Sequence, residues 1–303
     1  PPTGDYDYDL GLFLAPLYIS FVEKIIDYCQ RHRLPHLYFL SREGKIFLNI
    51  FNTLNHDPSL IPHYLVASRK SVYLTSISKL SLDEINRIWR QYSHQTPSQL
   101  LKNLNLPQTL LTVFHRYGIG KNDPLDPNYN FKKLASIIAD KQFRQIFRKT
   151  QKQQKQYFYD YTSKLTLDQQ KQVALVDIGW KGSMQDSLSR LFPNVRFHGL
   201  YLGCLCDNNQ ANCGHKNGLI ADANNPDWFQ KLIFFNGPLF EMTTTPNEGS
   251  CLKYSSTGPI TKQYPSEKDN YHRFFHKTQK AIYDYVDIYQ KYQNIIGLNP
   301  EHS

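Results

Sequence analysis

Apolar residues recur along the chain in two rhythms, one helical and one short and continuous. Leu17, Phe21, Ile25 and Ile26 share one helical face and predict a helix over 12–33, stopped by Leu34-Pro35. His36–Leu40 then reads as a short apolar strand, and Ser41-Arg42-Glu43-Gly44-Lys45 turns into an amphipathic helix ending near Asn55. A second strand is expected at Tyr64–Ala67, closed by Ser68-Arg69-Lys70. From Ser81 to Leu165 the pattern is helical, punctuated by Pro97, Pro107 and the turn-rich Gly118–Pro124. Strand character returns at Val173–Asp177 and Val195–Gly203, with a shorter strand near Cys251–Tyr254. A long amphipathic helix is predicted over Tyr271–Ile296.

Strands that alternate with helices predict an α/β fold, a mainly parallel sheet flanked by helices. There is no internal repeat and no low-complexity linker. The expected organisation is therefore a single domain over residues 1–303 with an all-helical insertion at about 75–165.

Composition narrows the classes. Hydrophobic residues are 40% and aromatics 14% of the 303 residues, which excludes a disordered or fibrous chain. The most apolar run, Leu10–Val22, carries Pro16 and falls short of the ~20 residues a membrane helix needs. An odd count of cysteines, 5, scattered along the chain matches a reducing compartment and no disulfide framework. Because the chain opens on Pro1-Pro2-Thr3-Gly4 rather than Met, a fragment or processed product is expected. The formal charge of +9 favours anionic partners, and its dispersal along the chain names none of them.

The candidate chemistry lies where three strands end. In open α/β sheets, ligands bind beyond the carboxyl ends of strands. Here those ends carry Ser41-Arg42-Glu43-Gly44, Ser68-Arg69-Lys70 and Asp177-Ile178-Gly179-Trp180-Lys181-Gly182-Ser183. Backbone amides at a glycine turn that opens a helix bind phosphate, and arginines grip phosphate oxygens in a bidentate manner. Asp177 can accept hydrogen bonds from ribose hydroxyls or help place Mg²⁺. Any one such turn is most often a solvated loop with a helix cap; three at consecutive strand ends point to a shared anion site.

Leu37–Gly44, Leu65–Lys70 and Leu175–Gln185, together with Tyr8–Pro16 and Phe240–Ser250, resemble a family of bacterial polysaccharide-assembly proteins. Its members often carry a haloacid-dehalogenase-type phosphatase ahead of this region, and the region itself resembles a glycan phosphoribosyltransferase. More distantly, the strand ends are similar to type I phosphoribosyltransferases, although Val176 and Ile178 flank Asp177 where those enzymes usually have two adjacent acids. The resemblance implies transfer of ribose 5-phosphate, with inversion, from 5-phosphoribosyl-1-diphosphate to a sugar hydroxyl. It implies that Ser41, Arg42, Gly44, Lys45, Ser68, Arg69 and Lys70 hold the diphosphate. Gly179, Trp180, Lys181, Gly182, Ser183 and Gln185 would cradle the 5-phosphate, and Asp177 would hold ribose hydroxyls and help place the metal. Glu241 and Glu43 are the candidate bases. Mg²⁺ is the implied cofactor, with neither zinc nor a nucleotide cofactor. The implied partners are a lipid-linked or oligosaccharide acceptor and a phosphatase, with no nucleic acid, and the setting is cytoplasmic or peripheral to the inner face of the membrane.

Alternatives stand beside this reading. A sugar-phosphate hydrolase could use the same crevice, and a non-catalytic module could bind nucleic acid or glycan through dispersed cations. Gly-Trp-Lys-Gly-Ser lacks the ending of a Walker loop. Asp5-Tyr-Asp-Tyr-Asp9 superficially resembles a phosphatase Asp-x-Asp motif, but without a preceding apolar strand it reads as an acidic lead-in. Cys204-x-Cys206, Cys213 and His215 are too tightly spaced for a usual zinc knuckle. Tyr283, Tyr285 and Tyr289 sit at helical spacing, as packing aromatics do, whereas Trp180 is placed to cover a donor or an acceptor sugar.

Overall fold

In the computed structural model, residues 2–89, 95–126, 129–205, 214–223 and 226–296 are described. Helix α1 (Tyr6–His32) leads into strand β1 (His36–Leu40), helix α2 (Gly44–Leu54), strand β2 (Ile61–Leu65) and helix α3 (Arg69–Ser76). Helices α4 (Leu82–Trp89), α5 (Pro97–Asn103), α6 (Leu111–Arg116), α7 (Phe131–Ala139) and α8 (Lys141–Ser163) follow. The sheet resumes with β3 (Gln172–Trp180), α9 (Ser183–Leu191), β4 (Arg196–Cys204) and β5 (His215–Asp222). Then come α10 (Trp228–Phe235), α11 (Gly237–Thr244), the antiparallel pair β6 (Ser250–Ser255) and β7 (Gly258–Lys262), α12 (Pro265–Asn270) and α13 (His276–Ile296).

Five parallel strands form one sheet in the order β2-β1-β3-β4-β5. Both faces are covered, as the apolar runs of these strands demand. Strict alternation divides the side chains. Leu37, Phe39, Ala174, Val176 and Ile178 face α1, α2 and α13, while Tyr38, Leu40, Val173 and Leu175 face α3, α8 and α9. The helices between β2 and β3 gather a separate apolar cluster, including Leu101, Phe114, Phe143 and Phe147. Among the described residues, that stretch contains helices and no strand.

The expected α/β architecture is present, with shifted boundaries. α1 begins at Tyr6, not near residue 12, because the Asp5 carboxylate caps the Tyr8 amide and Asp7 and Asp9 lie in the first turn. The Asp5–Asp9 segment is thus a helix start rather than a lead-in. β2 is displaced toward the N-terminus of its expected span because pairing begins where the Ile61 amide meets the Pro35 carbonyl at 2.7 Å. β3 runs past Asp177 to Trp180, in register with β4 through Gly179 and Gly203. The predicted C-terminal helix over Tyr271–Ile296 opens with a π-helical turn at Tyr271–Phe275 and continues as α13, and α12 precedes it outside the expected span. β5, β7, α10 and α11 were not expected.

Candidate functional site

The order β2-β1-β3 places the point where the strand sequence reverses between β1 and β3, which is where open α/β sheets bind ligands. A cavity of about 620 Å³ lies there. The end of β1 contributes Ser41, Arg42 and Glu43; the end of β2, Ser68 and Arg69; the end of β3, Asp177, Gly179, Trp180, Lys181 and Ser183. Glu241 of α11 closes the rim. Three helices, α2, α3 and α9, start at these strand ends, so their first-turn amides and the positive ends of their dipoles share one neighbourhood.

Arg69 is the exposed first residue of α3, and among the described residues its guanidinium has no ion-pair or hydrogen-bond partner. Arg42 is paired with Glu267 of α12 at 2.7 Å. A partly exposed pair of this kind contributes at most about 1 kcal/mol, less than charge-assisted hydrogen bonds to a phosphate, so an anion can displace Glu267. Asp177 accepts its neighbour Ile178's amide at 2.8 Å. Burial pushes the Asp177 carboxyl well above the usual carboxylate range, and Glu43 adds to this; the Ile178 amide and Arg69 oppose it, while Glu241 pushes it up further.

Trp180 forms the opposite wall. Its indole Nε1–H donates to the Glu241 carboxylate at 3.0 Å, and its ring meets Phe234 edge-on with centroids 6.1 Å apart. Gly203 and Gly237 leave the space it fills, since a Cβ would come within 2.5 Å of the ring at the first and 3.1 Å at the second. Leu205 and Pro238 extend this apolar side. The cavity therefore has one cationic, amide-rich wall and one aromatic wall.

Five of the expected site residues do not line the cavity. Gly44 is packed on β1, where a Cβ would lie 3.1 Å from the Phe39 carbonyl carbon. The Lys45 ammonium sits over the Tyr64 ring at 4.8 Å and 3.7 Å from Glu248. Lys70 is absent from the lining; burial lowers its pKa, and Lys102 and Lys262 reinforce the shift. Gln185 is fully buried, donating to the Phe197 and His215 carbonyls at 3.2 and 3.1 Å and accepting from the Tyr201 hydroxyl. Gly182 caps α9 at φ +61°, and a Cβ there would press on Lys216 and Tyr201 at 2.9 Å.

Two serines line the cavity with hydroxyls already engaged. The Ser41 hydroxyl bridges the Ala67 amide and carbonyl, tying the ends of β1 and β2. The Ser68 hydroxyl accepts the Ser71 amide and donates to the Cys251 carbonyl at 2.6 Å. Gly179 likewise has a packing reason, because a Cβ would fall 2.0 Å from the Gly203 carbonyl oxygen.

Sequence reasoning missed Lys216, whose ammonium pairs with Asp186 at 2.7 Å and reaches the Lys181 carbonyl at 3.3 Å, holding the loop before α9 from behind. It also missed Glu267. There Pro265 at the first helical position and Glu267 accepting the Tyr264 amide mark a legible helix start, but the meeting of Glu267 with Arg42 was not legible. Among the described residues no group of three or more His, Cys, Asp or Glu is placed to hold a metal ion. Cys206 and Cys213 lie outside the described residues, and Cys29, Cys204 and Cys251 are buried. No described helix is long and apolar enough to cross a membrane. No family model matches the chain, and no curated protein is detectably similar to it in sequence.

Proposed function

We propose that this protein is a glycosyltransferase that moves ribose 5-phosphate from 5-phosphoribosyl-1-diphosphate to a sugar hydroxyl of a growing bacterial polysaccharide. The observation that carries the reading is the convergence, at the β1/β3 switch point, of an arginine without a partner among the described residues, a helix start without a side-chain cap and a partly buried acid. In this reading the sheet is a type I phosphoribosyltransferase-like core, and the helices between β2 and β3 are an insertion with their own apolar cluster.

Arg69 and Arg42 grip the diphosphate, with Glu267 released as the phosphate arrives. The α9 amides from Ser183 onward cradle the 5-phosphate at the N-terminus that Gly182 leaves without a side-chain cap. Asp177 holds ribose hydroxyls. Asp177 would hold Mg²⁺ as a hard-oxygen ligand, since a carboxyl raised by burial and flanking acids gains from a cation. Bound there, the ion would supply charge neutralisation at the diphosphate. The acceptor O–H proton passes to a carboxylate, Glu241 at the rim or Glu43, as the acceptor oxygen bonds C1 and the C1–O bond to diphosphate breaks. Diphosphate leaves with the electron pair, and the anomeric centre inverts. Positioning and electrostatic stabilisation carry most of the acceleration.

The test is incubation with the donor, Mg²⁺ and a panel of bacterial glycan acceptors, followed by mass spectrometry. A gain of one ribose 5-phosphate unit with release of diphosphate supports the reading. Hydrolysis of the donor at the same rate with and without every acceptor would instead assign a hydrolase.

A further inference from the structure

The helix that closes the aromatic wall is turned inside out. An amphipathic surface helix normally buries its i, i+4, i+7 apolar stripe. In α10 that stripe, Trp228, Leu232 and Phe235, is exposed at 74%, 48% and 82%, while Ile233 is buried. Phe229 beside it and Met242 of α11 are exposed as well, at 44% and 50%. Scattered exposed apolar residues carry no meaning, but a continuous stripe of large ones marks a contact surface.

Its position and charge say what it contacts. Phe234, the residue before Phe235, lines the cavity and packs against Trp180, so the outward stripe is continuous with the aromatic wall of the site. The two acids at its ends are turned to internal work: Asp227 caps the Gln230 amide and Glu241 accepts from Trp180. Lys231 is the one charged residue within α10, on a chain with a net charge of +9. Tryptophan and phenylalanine beside lysine on a surface helix are the groups that settle at the headgroup boundary of an anionic bilayer.

We propose that the α10–α11 face docks on an anionic phospholipid membrane and seats the cavity mouth at the lipid surface, so that a lipid-linked acceptor reaches Glu241 from the interface. The docking stands on the exposed stripe, its continuity with the cavity wall and its charge; only the identity of the acceptor rests on the proposed function. A protein that binds vesicles without binding donor would refute the transferase reading and leave the docking intact. The converse result would do the opposite.

The test is co-sedimentation with vesicles of phosphatidylethanolamine and phosphatidylglycerol, compared with phosphatidylcholine alone. Binding to the anionic vesicles is expected, with a blue shift of tryptophan fluorescence. The double variant Trp228→Ser/Phe235→Ser should lose about tenfold or more in affinity. It should keep its circular dichroism spectrum and its thermal shift with 5-phosphoribosyl-1-diphosphate. Phe13→Ser, at an 80% exposed position on α1, should bind vesicles like the wild type. Absence of vesicle binding, an equal loss in Phe13→Ser, or a wild-type dimer that the double variant dissolves would each overturn the proposal.

Discussion

The ends of β2 and β3 have the same strand–turn–helix plan and use their polar atoms in opposite ways. After β2, Ser68 spends its hydroxyl on both the Ser71 amide and the Cys251 carbonyl, so the start of α3 is closed by its own side chains. What that end offers to a ligand is one long cation, Arg69. After β3, Gly182 brings no capping side chain, and the α9 amides stay open while Lys216 braces the loop from behind. One end presents a side chain and the other presents backbone. Together they suit a ligand with two separated anionic groups, as a phosphoribosyl diphosphate has.

The contrast can be broken most severely at Arg69. Arg69→Ala should lower kcat/KM for transfer by about 10³-fold, the scale of a lost charge-stabilising group. Its stability should change by no more than about 0.5 kcal/mol, because the side chain is exposed and has no partner among the described residues. Paired turnover and denaturant-unfolding measurements check both halves.

Asp177→Asn should cost about 10²-fold in turnover and yet stabilise the fold at neutral pH. The sign follows from the raised pKa. The folded state binds this proton more tightly than the unfolded chain does, so stability falls as pH rises from about 3.9, the unfolded value, through the folded one. The variant removes that loss, and its advantage in Tm should be largest at pH 8 and vanish below about pH 4. A thermal melt series of both proteins across this range measures the difference.

Ser68→Ala reverses the pattern. Loss of the cap should cost about 1 kcal/mol of stability. Donor affinity should move by less than about threefold, since the hydroxyl already has two protein partners. The smallest effect is expected at Glu267→Gln, which frees Arg42 from an ion pair worth at most about 1 kcal/mol. Calorimetric titration should show donor binding tightened by no more than about fivefold.

How much of this was legible depended on whether the deciding contacts were local. β1 matched its expected span because Pro35 and Ser41 bracket an apolar run of strand length. The convergence of three strand ends followed from the βα alternation. Gly179, two residues after an acid, reads as part of a glycine turn, but it lies within β3, where close packing on Gly203 of the next strand, 24 residues on, leaves no room for a Cβ. Gln185 sits in a first helical turn, as a phosphate ligand would, but three backbone and side-chain partners from β4 and β5 claim it. Lys45 and Lys70 show the same limit, since a lysine beside a strand end can point to either side of the turn. α10 escaped notice because its apolar stripe faces outward, so periodicity alone could not separate it from a buried segment.

The most direct test of the central claim is a thermal-shift titration with 5-phosphoribosyl-1-diphosphate and Mg²⁺, set against ribose 5-phosphate and sugar nucleotides. At about 100 times Kd the donor should raise Tm by about 4 °C, and Arg69→Ala should abolish most of that rise. An unchanged Tm with the donor, or an equal shift with Arg69→Ala, would contradict a diphosphate site at the ends of β1, β2 and β3.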